Sequence, residues 1–103
     1  MISIDIIIEK LKNVGFELTN DIDKLIFYFE NDNSVVMSVT KPEDHESWMI
    51  RLDYREIFDR WGNCFYENYV DSMEELDSCM QDVIYFSKNK DKEIEEYLND
   101  DYY

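Results

Sequence analysis

The stretch Leu25–Thr40, LIFYFENDNSVVMSVT, constrains the fold more than any other part of the chain. Two runs rich in β-branched and aromatic residues, Leu25–Glu30 and Ser34–Thr40, flank Asn31-Asp32-Asn33. Such runs suit a pleated, half-buried surface, and Asn and Asp supply turn backbone by bonding to their own main chain. The pattern predicts a β-hairpin. Lys41–Glu46 is a polar loop with the only proline, and Ser47–Tyr54 alternates after it. Trp48, Ile50, Leu52 and Tyr54 fall on one face; Met49, Arg51 and Asp53 fall on the other, as in a strand buried on one side.

Helical spacing brackets these strands. Ile4, Ile7, Ile8, Leu11 and Val14 recur at helical intervals, with Ser3 placed to cap the start and Gly15 placed for a left-handed end. At the other end, Asp71 with Glu74, or Ser72 with Glu75, has the form of a capping box. At about 100° per residue, Met73, Leu76, Met80 and Val83 share one side, with Cys79 and Ile84 at its margins. Glu67 (if helical), Asp71, Glu74, Glu75, Ser78, Asp82 and Tyr85 share the opposite side. Ile94, Tyr97 and Leu98 predict a further helical turn or two, and Asn99–Tyr103 reads as a loose acidic, aromatic tail. Arg55–Tyr69 is ambiguous: a short helix ending before Gly62, or two strands turning at residues 60–63, with its aromatic density favouring strands.

The expected fold class is therefore α+β: an N-terminal helix, an antiparallel sheet of three to five strands, and a C-terminal acidic helix. One domain over residues 1–98 suits a chain of 103 residues, long enough to bury roughly 60–65% of its unfolded surface. Apolar residues make up 45% and aromatic residues 16%, enough to oppose disorder. The net charge is −15, from 25 acids and 10 bases, well beyond the roughly 2–8 that solubility asks of a small domain. Such a field repels nucleic acid and anionic membranes and attracts basic surfaces. The longest apolar run near the N-terminus, Ile6–Ile8, is shorter than a signal or membrane segment requires. The expectation is a cytoplasmic protein with reduced thiols.

Catalytic and metal chemistry find little support. The only histidine, His45, sits among Glu43, Asp44 and Glu46 and reads as an exposed loop residue. No nucleophile occupies a recognisable motif. Gly15 and Gly62 are the only glycines, so no phosphate-cradling loop exists. Asp21-Ile22-Asp23 and Asn31-Asp32-Asn33 lack the glycine and distal glutamate of an EF-hand. Cys64 and Cys79 fit no zinc or redox spacing and read as small buried side chains. The expectation is no enzyme, no catalytic residue, no cofactor and no metal.

The acidic segment carries more. From Trp61 to Ser87 there is no Lys or Arg, although interleaved bases would stabilise a helix through i,i+4 pairs. An ordinary solvated helix face is one reading. The other is imitation of a nucleic-acid backbone, whose charges lie about 1.7 Å apart along a duplex. Carboxylates on a helix rising 1.5 Å per residue approach that density and can occupy the Arg and Lys groups that grip phosphates. Tyr66, Tyr69, Tyr85 and Trp61 have two readings, as core or as interface anchors. The candidate partner-binding residues are Glu67, Tyr69, Asp71, Glu74, Glu75, Asp77, Asp82 and Tyr85.

The order of these elements, with FDRWGNCFYENYVDSMEELDSCMQDV after the hairpin, resembles the small acidic phage anti-CRISPR proteins that inhibit type II RNA-guided nucleases. The likeness covers about residues 1–87 and lies in layout, acidity and the run Tyr69, Asp71, Glu74, Glu75, Leu76, Met80, Gln81. It implies a non-catalytic inhibitor whose acidic side chains, Glu67, Asp71, Glu74, Glu75 and Asp77, meet the arginines that read the short duplex motif beside the target. The longer third strand Ser47–Tyr54 and the C-terminal extension depart from that pattern. The implied partner is a basic nucleic-acid-binding protein, a CRISPR nuclease or other defence enzyme in the host cytosol, with no direct nucleic acid and no membrane. The alternatives are an immunity protein that neutralises a basic bacterial toxin and a generic acidic interaction domain.

Overall fold

Gly15 is the joint between the first helix and the first strand. The computed structural model describes residues 2–20, 25–44, 46–57 and 65–100. Helix α1 (Ile4–Asn13) ends in a turn where Gly15 takes φ +102° and its carbonyl accepts from Glu30 N–H at 2.8 Å. A Cβ here would lie 3.1 Å from the Phe29 ring, so glycine serves both the backbone and the packing. Ser3 occupies the N-cap of α1, but its side chain makes no capping bond.

Among the described residues, five antiparallel strands follow in chain order: β1 (Phe16–Asn20), β2 (Leu25–Phe29), β3 (Asp32–Thr40), β4 (Trp48–Tyr54) and β5 (Tyr66–Val70). The sheet is a meander with β1 and β5 at its edges. One row of partners, Leu18, Phe27, Met37, Leu52 and Tyr66, crosses all five strands on one face. The adjacent row Ile26, Ser38, Arg51 and Glu67 lies on the other face. Because side chains alternate, a single register assigns each residue to the core or to the open side.

Helices α1 and α2 (Met73–Lys88) cover the first face. Ile7 and Leu11 from α1, and Leu76, Cys79, Met80 and Val83 from α2, join Phe27, Met37, Ile50, Leu52 and Tyr54 in one buried cluster. Fully burying such a side chain contributes about 1.5–3 kcal/mol. Inside this layer the Tyr54 hydroxyl donates to the Phe86 carbonyl at 2.7 Å, and Trp48 Nε1 donates to the Ile2 carbonyl at 2.9 Å.

Helix α3 (Lys90–Asp100) follows α2 after Asn89, whose side-chain amide donates to the Tyr85 carbonyl. Lys90 fastens α3 to the sheet: its Nζ lies 2.7 Å from Asp32 Oδ2 and 2.6 Å from Glu56 Oε2. Tyr97 meets the Phe65 ring at 6.1 Å.

The α+β class, the hairpin, β4 and the acidic helix agree with the expectations from sequence. Other expectations are corrected. Strand β1 was not anticipated. The hairpin turn is Glu30–Asn31 and β3 begins at Asp32, two residues earlier than expected. Within the ambiguous stretch Arg55–Tyr69, Arg55–Ile57 forms a 3-10 turn and Tyr66–Val70 is a strand, while residues 58–64 between them lie outside the described ones. Helix α3 extends through Asn99 and Asp100, which the sequence placed in a tail. Met73 is 44% exposed, because the first turn of α2 overhangs the core, whereas Cys79 is fully buried. His45, Cys64, the Asp21–Asp23 run and the proposed turn at residues 60–63 lie outside the described residues. Among the described residues, no helix is long and apolar enough to cross a membrane.

Candidate protein-binding surface

The junction of β5 and α2 is built by a capping box. Ser72 adopts extended backbone at the N-cap, and its Oγ accepts from Glu75 N–H at 3.2 Å. Glu75 reaches back: its Oε1 accepts from Asp71 N–H at 3.0 Å and from the Ser72 hydroxyl at 3.3 Å. Of the two capping pairs visible in the sequence, Ser72 with Glu75 is the one formed. Carboxylates in the first turn, Glu74 and Glu75, also face the positive end of the helix dipole. Asp71 follows the strand, and its Oδ1 is buried without a hydrogen-bond partner.

This construction divides the eight candidate residues. Glu67 lies on β5, not on a helix, directly across from Arg51 on the open face of the sheet. Arg51 Nε donates to Glu67 Oε2 at 2.8 Å. Tyr69 shares that face at the sheet edge and is 37% exposed. Asp77 turns toward α1, where Lys10 Nζ lies 3.0 Å from its Oδ1. Asp82 turns toward β5 and accepts from the Tyr66 hydroxyl at 2.9 Å. Glu74 and Tyr85 point to solvent, Tyr85 at 41% exposed. The single ridge expected from Glu67 to Asp82 is thus corrected to four directions, because the chain changes from strand to helix at Asp71 and Ser72 and because Asp77 and Asp82 turn to different neighbours.

Magnitudes bear on duplex imitation. Glu74 to Asp82 spans about 12 Å of helix at 1.5 Å per residue. A duplex carries roughly seven phosphates over that length. Helix α2 offers Glu74, Glu75, Asp77 and Asp82 there, and two of the four already meet Lys10 or Tyr66. The free charge density is well below that of DNA.

Tyr69, Glu74 and Glu75 do converge. With Asn68 and Ser78 they line an open groove of about 310 Å3 between β5 and α2. Along this edge the Tyr69 N–H is bonded to Asn68 Oδ1 at 2.9 Å. With the Asp71 N–H held by Glu75, side chains satisfy two main-chain donors beside the groove, which blunts the edge as a template for another strand. Sequence reasoning missed Asn68; an asparagine between Glu67 and Tyr69 has no signature until its strand pairing is known.

Beneath this edge the Tyr66 hydroxyl also accepts from Asn68 Nδ2 at 3.3 Å and lies 3.6 Å from Cys79 Sγ. Burial pushes the Cys79 thiol up to about 11 and raises the Tyr66 hydroxyl well above its ordinary range. A buried thiol of this kind is a poor nucleophile. Among the described residues, no three His, Cys, Asp or Glu side chains are grouped to hold a metal ion. The surface offers two carboxylates, an aromatic ring and amide and hydroxyl groups, a set suited to holding cationic side chains.

Fold and surface together define an acidic α+β domain that presents carboxylates beside an exposed tyrosine at one sheet edge. Comparison with known protein families, with curated proteins and with solved structures gives no match to this chain.

Proposed function

We propose that the chain is a non-catalytic inhibitor that occupies the nucleic-acid-binding site of a basic enzyme, with a defence nuclease of the RNA-guided type as its target in the host cytosol. The observation that carries this reading is the β5–α2 groove, where Tyr69, Glu74 and Glu75 converge and, among the described residues, no Lys or Arg lines the wall. The net charge of −15 adds long-range attraction to a cationic cleft. Glu74 and Glu75 stand in for individual phosphates, not for a continuous backbone.

The test is competition. The chain should displace duplex DNA from a purified type II RNA-guided nuclease and slow its cleavage, more so at low salt. Glu74→Lys combined with Tyr69→Ala should abolish the displacement. Glu75→Gln, which keeps the cap, should weaken it only partly. Failure to displace DNA at any salt concentration would remove this reading.

A second reading, immunity against a basic toxin, is favoured by the spread of carboxylates over four directions, which fits a curved cationic surface better than a linear one. Tight binding to a toxin without competition from DNA would decide for it.

A further inference from the structure

A second open groove lies elsewhere, along α3. It measures about 530 Å3 and is lined by Glu56, Asp91, Ile94, Glu95, Leu98 and Asn99. Ile94 and Leu98 are one helical turn apart and share a stripe. Ile94 packs partly on the core, while Leu98 is 48% exposed. Asp91 and Glu95, also one turn apart, form an acidic rim, and no salt bridge among the described residues reaches either. The remaining carboxylate, Glu56, is already held by Lys90.

We infer that this groove docks a cationic amphipathic segment of a partner protein, with apolar side chains on Ile94 and Leu98 and Lys or Arg against Asp91 and Glu95. Charge selects this occupant. A neutral apolar partner would strip water from Asp91 and Glu95 and leave them unpaired, whereas a cationic one replaces the lost hydration. A second copy brings the same sign: α3 carries Asp91, Glu93, Glu95, Glu96 and Asp100 against Lys90 and Lys92, on a chain of net charge −15. Nucleic acid and anionic membranes are repelled for the same reason. The inference uses α3 and not the β5–α2 edge, so it stands apart from the proposed function.

The experiment titrates the isotopically labelled full chain with a synthetic amphipathic peptide of leucine and lysine, and with an equally charged peptide of serine and lysine. The leucine peptide should bind about tenfold more tightly than the serine peptide, with shifts concentrated on Glu56 and Asp91–Asn99. Leu98→Gln should weaken the leucine peptide about tenfold. Asp91→Asn with Glu95→Gln should do the same, and no variant should change the melting curve. Three results overturn the inference. Equal binding of both peptides with shifts spread over α1 and α2 means charge attraction alone. Unchanged affinity in Leu98→Gln removes the apolar anchor. Absence of binding, with Leu98 contacting residues 58–64 or a concentration-dependent dimer, assigns the groove to the chain itself or to a second copy.

Discussion

Arg51 and Glu67 face each other across β4 and β5, with Arg51 Nε 2.8 Å from Glu67 Oε2. Opposite charges on directly paired residues are the usual stabilising arrangement across antiparallel strands. Both side chains remain about one-third exposed, so the pair contributes about 0–1 kcal/mol. Its larger consequence is direction. It holds Glu67 on the open face of the sheet and out of any acidic run continued by α2.

Removing the arginine therefore tests which face meets a partner. Arg51→Gln should change stability by less than about 1 kcal/mol and should make the chain one unit more negative. If partners dock at the β5–α2 groove, the substitution should leave the dissociation rate unchanged and raise the association rate at low salt. Stopped-flow measurements with the target at two salt concentrations check this. A faster dissociation would place the open sheet face within the interface.

The same pair shows how far the sequence could be read. The hairpin, β4 and the capping box of α2 were legible because each is a local pattern of period two, of period 3.6, or of residues three apart. Strand β1 was not: Phe16 and Leu18 offer only two apolar positions, and the strand exists because Phe16 pairs with Phe29 beyond the turn at Gly15. The acidic residues were legible as a list but not as a surface. Whether Glu67, Asp77 and Asp82 are free depends on Arg51, Lys10 and Tyr66, which reach them only through tertiary structure. Cations from outside the acidic segment neutralised two of the candidates, and no helical wheel of that segment can show this.

Among the described residues, Gly15 is the one with positive φ. With φ at +102° and the Phe29 ring 3.1 Å from where a Cβ would stand, Gly15→Ala meets strain and a clash together. The expected loss is about 1–3 kcal/mol, visible as a lower melting temperature and urea midpoint with an unchanged m-value. Phe29→Leu in the Gly15→Ala background should recover part of the loss, since a smaller side chain relieves the contact but not the backbone strain.

Cys79 reports on opening of the core. It is fully buried against Tyr66, and burial pushes its thiol up to about 11. In a Cys64→Ser variant, a thiol reagent at pH 8 should label Cys79 only as fast as the α2 layer opens, and labelling should accelerate with urea. Rapid modification of the native protein would contradict the packing of α2 on β5.

Lys90 couples stability to pH through two carboxylates from different elements. Its ammonium, with the Ser34 hydroxyl and amide, holds Asp32 down to about 2, against an ordinary value of 3.8. Hydrogen bonds from Lys90 also lower Glu56, and the two carboxylates raise Lys90 in return. A carboxyl lowered on folding stabilises fully above its unfolded value of about 4 and loses that contribution as pH falls through its folded value. A lysine raised on folding stabilises fully below its unfolded value of about 10.4 and loses that contribution as pH rises through its folded value. The clasp should therefore contribute fully between about pH 4 and pH 10, weaken progressively below pH 4 until Asp32 is protonated near pH 2, and weaken above pH 10 as Lys90 loses its proton at its raised folded value. Lys90→Met should cost about 1 kcal/mol near neutrality, return the Asp32 titration midpoint toward its ordinary range, and speed amide exchange in α3 while the sheet stays protected. Carboxyl titration by NMR together with native-state exchange measures both effects. An Asp32 midpoint near 4 in the unmodified chain would show that the clasp is not formed in solution.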